Sequence, residues 1–303
     1  MLSVNIPVYN IDVTPLVKQL VLQAEKLGIG FEIRVYDDGS VDDIKQKNRQ
    51  IQQLPGVIYR ELSVNLGRAA IRNLLGAESV FDFLLFIDAD SLPVAGNYLQ
   101  QYIENAKHNF VVCGGTAYTK LQPEEKGEFL RWFYGTNREA INAAQRNSAK
   151  GFIITSNNFL IEKRVFEKIR FRENIGMYGH EDTLLGYDLF KNGISILHID
   201  NPVLHTGLEN APVFISKTQL ALKSLYRINT VILAGDTVFI RQVNFLNRYS
   251  SITRFVPAGF FRLFYHLFHS LIEFNLKSRI PILFLFDLYK LSYYAILEKK
   301  EIR

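Results

Sequence analysis

Two strings in this chain run from apolar residues straight into carboxylates: "VYDDGS" at residues 35–40 and "FIDAD" at residues 86–90. Asp88 and Asp90 flank one alanine. In extended chain, residues two apart project to the same side, so both carboxylates leave one face. Hard oxygen donors in a pair suit Mg²⁺ or Mn²⁺, whose coordination shell is completed by water and substrate phosphates. The competing reading is an Asp-rich turn, with Ser91 and Pro93 supplying the turn chemistry. Asp37 and Asp38 are equally two-sided. Asp38-Gly39 is a common turn pair, and Ser40 suits a helix N-cap. An acceptor fixed on a rigid strand end also suits a base or a ribose.

Further along, "SVNLGRAAIRNLLG" places Gly67 in a turn before a helix that carries Arg68 and Arg72 at i, i+4 on one face. A helix start with two guanidiniums fits a diphosphate; a solvated basic face is the alternative. "MYGHEDTLLGYDL" puts Glu181 and Asp182 at a helix start. They read either as ordinary complements to the helix dipole or as a general base for an attacking hydroxyl. His205, in "VLHTG", ends another expected strand. Alone it reads as structural; beside a metal held by carboxylates it becomes an extra ligand. His198 and His180 are lesser rivals.

These residues need a frame. Apolar runs at 2–8, 31–36, 57–62 and 83–87 alternate with helical spacing at 14–27, 41–54 and 67–79. That order predicts an α/β fold, a mostly parallel sheet with helices on both faces. Such sheets bind ligands beyond the C-terminal ends of their strands. "NIPVYN" and both acidic tips fall there. Strands are expected at 110–118, 151–160 and 194–199, and a short helix at 163–168. The helix after Glu181 is expected to turn Leu184, Leu185, Leu189 and Phe190 inward.

Composition narrows the classes. The 303 residues carry a net charge of +5 without dense Lys/Arg clusters, which argues against a nucleic-acid binder. One cysteine, Cys113, excludes an intramolecular disulfide and a cysteine zinc cluster. "MLSVNIPVYN" reads as a strand and not as a secretory signal, so the expected location is cytoplasmic.

From about Pro257 the chain turns greasy. "GFFRLFYHLFHSLIEFNLK" reads as a helix with one narrow polar stripe of Arg262, His266, His269 and Glu273. "IPILFLFDLYKLSYYAIL" follows, with Lys277, Arg279, Lys299, Lys300 and Arg303 around it. Neither segment is clean enough to span a bilayer. Interface attachment competes with core packing or a dimer contact.

The ordered set "NIPVYN", "VYDDGS", "NLGRAAIRN", "LLFIDAD" and "GHEDTLLGYDLFKNG" resembles the inverting family 2 glycosyltransferases with a GT-A fold, over residues 1–210. The resemblance implies a glycosyltransferase domain at 1–215 and a helical extension at 216–303. It implies that Pro7, Val8, Tyr9, Asp37 and Asp38 hold the nucleotide base and ribose. Arg72 matches the position that reaches toward the diphosphate, with Gly67 and Arg68 beside it in the donor-binding stretch. Asp88 and Asp90 match the Asp-x-Asp, with Asp90 the direct metal ligand. Asp182, beside Glu181, matches the catalytic base, and His205 resembles a late histidine aimed at metal or diphosphate. The implied cofactor is Mn²⁺ or Mg²⁺. The implied partners are a nucleotide-sugar donor, a glycan or lipid-linked acceptor and a membrane surface. The Gln-x-x-Arg-Trp motif of processive members is missing; "RWFYG" at Arg131 precedes the Glu-Asp pair. Addition of one sugar is therefore expected. The alternatives are a nucleotidyltransferase, for which "NIPVYN" lacks a Gly-rich phosphate loop, and a non-catalytic scaffold of the same fold.

Overall fold

Leu2–Val8 (β1) is buried almost throughout, as a central strand covered on both faces must be. The computed structural model describes residues 1–149 and 152–300. The remaining strands are β2 Phe31–Asp37, β3 Val57–Glu61, β4 Phe83–Ile87, β5 Ser91–Pro93, β6 Val111–Cys113, β7 Thr116–Ala117, β8 Asn158–Glu162, β9 Leu197–His198 and β10 Val203–His205. The α-helices are α1 Thr14–Lys26, α2 Asp42–Asn48, α3 Arg68–Glu78, α4 Tyr98–Ala106, α5 Phe129–Tyr134, α6 Ala143–Ser148, α7 Lys163–Phe166, α8 Glu181–Lys191, α9 Ala211–Arg227, α10 Thr237–Gln242, α11 Asn244–Thr253, α12 Ala258–Leu276 and α13 Leu283–Lys300.

The main sheet has the order β3-β2-β1-β4-β8-β6-β9. β1, β2, β3 and β4 are parallel, β8 runs antiparallel to β4 and β6, and β9 is parallel to β6. Alternation along β4 divides the core. Leu85 and Ile87 join one layer with α1 and α4; Leu84 and Phe86 join the other with α3 and α8. A small second sheet, β5-β10-β7, carries His205 at the end of β10.

The chain divides into two compact units. Unit 1 comprises Met1–Tyr118, Ala140–Glu173 and Glu181–Gly207. Unit 2 comprises Thr119–Glu139, Asn174–His180 and Leu208–Arg303. In unit 2, Leu130 of α5, Ala211 and Ile215 of α9, Ile272 and Leu276 of α12, and Phe286 and Tyr289 of α13 form one apolar core.

Several expected elements differ. The run 110–118 is broken between two sheets at Gly114 and Gly115; a Cβ on Gly115, whose φ is +87°, would strike the Arg146 guanidinium. The strand expected at 151–160 begins only at Asn158, and Gly151 lies outside the described residues. The 194–199 strand shortens to β9. Residues 41–54 hold α2 and a 3₁₀ turn in place of one helix. Leu184, Leu185 and Leu189 are buried as expected, whereas Phe190 is exposed. No helix among the described residues is long and apolar enough to cross a membrane. Arg303, expected among the flanking basic residues, lies outside the described residues.

Candidate active site

The ends of β1, β2 and β4 supply the site, as the parallel order requires. The β1 and β2 loops are stitched together. Asp38 N donates to Val8 O at 2.7 Å, Asn10 N donates to Ser40 Oγ at 2.7 Å, and Val41 N donates to Asn10 Oδ1 at 2.9 Å. Pro7 and Val8 lie within β1, and Tyr9, the next residue, is exposed.

Asp37 and Asp38 take different tasks. Asp38 Oδ1 accepts from Leu66 N at 2.7 Å and Oδ2 from Gly67 N at 3.0 Å. It thereby fixes the loop that starts α3, where Gly67 has φ +87°. Asp37 is fully buried. Its Oδ1 accepts from Ser40 N at 2.7 Å, and its Oδ2 has no partner among the described residues. A buried acceptor left open at a strand end is costly unless something fills it.

The two arginines of α3 part company. Arg72 is 2% exposed; its Nη2 donates to Asp88 Oδ1 at 2.5 Å, and its guanidinium lies 5.7 Å from the Phe171 ring centre. The Arg68 side chain is 44% exposed. It donates from Nε to Glu181 Oε1 at 2.7 Å and sits 3.4 Å from Asp88 Oδ2. Of the two arginines that the resemblance places in the diphosphate stretch, Arg68 is the exposed one and Arg72 the buried one.

Asp88 is engaged by both guanidiniums, so the expected trio of Asp88, Asp90 and His205 is here a pair. Among the described residues no three His, Cys, Asp or Glu side chains gather as a metal cluster. Asp90 Oδ1 lies 3.6 Å from His205 Nδ1, and Thr206 N and Oγ1 both donate to the Asp90 carbonyl. Burial opposes the charge on Asp90, but His205 and Arg68 outweigh it and hold the carboxyl below its ordinary range. His205 packs edge-on against Tyr118, and its buried Nε2 has no partner among the described residues. Asp90 offers an ionised oxygen, with the Nδ1 edge of an imidazole 3.6 Å away, both donor types that a divalent cation takes; the unpartnered Nε2 is the other ring nitrogen.

At the start of α8, burial tends to raise Glu181, but the charges of Arg68 and Arg72 hold it below the usual range. Asp182 goes the other way. Burial and the charge of Glu181 push it up to about 6, against the backbone N–H of Thr183 and the pull of both arginines. Thr183 N donates to Asp182 Oδ1 at 2.6 Å. Arg68 is thus the shared electrostatic neighbour of Asp90, Glu181 and Asp182, which makes these residues one site.

Of the rival histidines, His198 is engaged elsewhere. His198 accepts from Arg146 Nε at 3.3 Å, and burial beside that guanidinium drives it down to about 4. His180 belongs to unit 2 and precedes α8 with φ +66°. Sequence reading missed Tyr118, Phe171 and Gly207. It also missed Asn158, whose Oδ1 accepts from Tyr98 and Tyr102 and whose Nδ2 donates to Gly115 O and Asn201 O. Two consecutive asparagines inside "ITSNNFLI" were the available signal.

The sheet order and the carboxylates at its strand ends define a GT-A glycosyltransferase fold. A model of glycosyl transferase family 2 matches residues 3–170, and the chain belongs to that family. An uncharacterized glycosyltransferase of Rickettsia conorii is 32% identical over 131 residues, 43% of this chain and 20% of that protein. Chondroitin synthase of Escherichia coli is 22% identical over 63% of this chain and 32% of that enzyme. The chain thus spans a third or less of these relatives. Among solved structures, a mannosyltransferase of Pyrobaculum calidifontis in complex with GDP-Man and Mn²⁺ has a TM-score of 0.60 at 14% identity, covering 99% of this chain and 86% of that one. S. aureus TarS residues 1–349 in complex with UDP-GlcNAc has a TM-score of 0.52 at 17% identity, covering 99% and 91%. At these identities the likeness is one of fold.

Proposed function

We propose that this chain transfers a single sugar, with inversion, from a nucleoside diphosphate donor to a hydroxyl of a glycan or lipid-linked acceptor, in surface polysaccharide or glycolipid synthesis. UDP is the first candidate nucleotide. The observation that carries the reading is the asymmetry of two adjacent carboxylates. Glu181 accepts from Arg68 Nε at 2.7 Å and is held below its ordinary range, while burial and the charge of Glu181 push Asp182 beside it up to about 6. A carboxylate raised toward neutral pH is matched to taking a proton from an attacking hydroxyl.

The other roles follow from position. Asp37 Oδ2 accepts from the base or ribose, with Pro7, Val8 and Tyr9 alongside. Arg68 meets the diphosphate, backed by Gly67 at the start of α3. Arg72 and Asp88 hold Arg68 in place from beneath. Asp90 and His205 would hold Mn²⁺ or Mg²⁺, and a bound cation would neutralise the charge that builds on the leaving diphosphate. Displacement in line inverts the anomeric carbon and needs no enzyme nucleophile. The likeness to folds solved with GDP-Man and UDP-GlcNAc supports a nucleotide-sugar donor and does not choose between them.

The test is calorimetric titration of UDP, GDP and dTDP, with and without Mn²⁺, into the wild type and Asp90→Ala. One nucleotide is expected to bind, with a metal dependence that Asp90→Ala abolishes. A ligand of the ion outweighs its supporting residues, whose loss costs 10–100-fold, so the expected loss exceeds about 100-fold. Failure of every nucleotide to bind would move the scaffold reading forward.

A further inference from the structure

Helix α12 packs with its polarity reversed. Phe260, Leu263, Leu267, Leu271 and Phe274 recur at intervals of three and four, so they line one side of the helix, and all five are exposed. Phe274 is 78% exposed. The opposite side holds the buried Phe261, Ile272 and Leu276, and with them much of the polar stripe. Tyr289 OH of α13 donates to Glu273 Oε1 at 2.9 Å, and the His269 ring stacks on Tyr265 with centres 4.9 Å apart. A helix meant to meet water does the reverse.

The apolar side does not stop with the helix. Ile280 and Ile282, in the turn to α13, and Phe284, at the start of α13, are also exposed. The stripe from Phe260 to Phe274 runs roughly 21 Å along a straight helix. A contiguous exposed apolar surface of this extent marks an interaction site.

Charge selects the occupant. Residues 254–286 contain Arg254, Arg262, Lys277 and Arg279, and one acidic residue. That residue, Glu273, is bonded to Tyr289 and to Lys277 at 3.1 Å. Arg262 belongs to the polar stripe, so a second copy of the chain would set Arg254, Lys277 and Arg279 against like charges. A flat surface of negative charge over hydrocarbon matches both the stripe and its flanks.

We propose that the exposed side of α12, with the turn after it, is a docking surface for an anionic lipid bilayer. The helix lies in the interface plane; Phe260, Leu267, Leu271 and Phe274 enter the acyl boundary, and Arg254, Lys277 and Arg279 meet the headgroups. This inference rests on unit 2 alone and not on the sugar-transfer reading.

The test is co-sedimentation of the full chain with vesicles of phosphatidylcholine, with and without phosphatidylglycerol, alongside sedimentation velocity without lipid. Wild type is expected to pellet with the phosphatidylglycerol vesicles and to be released by high salt. Leu267→Ser with Leu271→Ser should lower the partition by about tenfold or more for each leucine, at unchanged thermal stability. Lys277→Ala and Arg279→Ala should each lower it by about fivefold. Failure to bind anionic vesicles, equal binding to pure phosphatidylcholine, or equal binding by the double-serine variant would overturn the proposal. Self-association abolished by the same two serines would also overturn it and assign the face to a second copy.

Discussion

Arg72, almost wholly buried, holds Asp88 at 2.5 Å, and Asp88 lies 3.4 Å from the exposed Arg68. The first carboxylate of the Asp-x-Asp is therefore a bracket between two guanidiniums. The second, Asp90, is left to His205. One motif has two tasks because its residues sit at the turn out of β4. Asp88 N donates to Asn157 O beside β8, while the Asp90 carbonyl is tied to Thr206 after β10.

Removing the bracket strands a buried charge. Asp88→Ala is expected to destabilise the fold by about 3–5 kcal/mol, the usual result of deleting one partner of a buried pair. Adding Arg72→Met should restore much of that loss, because the cation goes with its counterion. Thermal melts of the single and double variants check this. Simple additivity of the two losses would refute the pairing account.

Much of the frame was legible because its signals are local. Apolar runs with Gly, Pro and Asn at their ends mark β1 to β4, and i, i+4 spacing marks α1 and α3. The division of labour at the site was not legible. Arg68 and Arg72 are identical in type and share a face by spacing, yet only packing against Phe171 buries one of them. Asp38 looks like a base or ribose acceptor in sequence; its two amide donors come from Leu66 and Gly67, on a loop whose approach is tertiary. Phe190 was misassigned because helical periodicity gives the direction of a face and not its width. The polarity of α12 failed for a related reason: Glu273 finds a tyrosine on another helix, and the local pattern holds no trace of it.

Gly207 tests the geometry around Asp90. A Cβ there would lie 2.6 Å from Asp90 Oδ2, nearer than real Cβ contacts allow. Gly207→Ala is expected to push the carboxylate off its line with His205. Because the Asp90 side chain is partly exposed, at 26%, and can give way, the melting temperature should move little. Mn²⁺-dependent nucleotide binding should fall about 10–100-fold, the scale for misplacing a ligand through its surroundings. Unchanged binding would mean that Asp90 tolerates displacement and is not the positioned donor.

Asp182 makes a paired prediction about pH. Its carboxyl is raised to about 6 by burial and by Glu181. As the proposed base it must be ionised, so kcat/KM should rise with pH and level off above a midpoint near 6. Arg68 pulls that midpoint down, so Arg68→Gln should move it upward. The stability consequence has the opposite sign. A carboxyl whose folded pKa exceeds its unfolded one binds its proton more tightly when folded. Its contribution is complete below the unfolded value and is lost as pH rises through the folded one. Asp182→Asn keeps an oxygen for Thr183 N and removes this cost. It should therefore abolish transfer, leave donor binding intact and stabilise the fold at pH 8, by on the order of 1–3 kcal/mol, with no gain at pH 4. Denaturant melts at the two pH values, with calorimetry of the donor, read both halves. Loss of donor binding in Asp182→Asn would remove Asp182 from the role of base, and a stability gain independent of pH would remove the raised carboxyl as its cause.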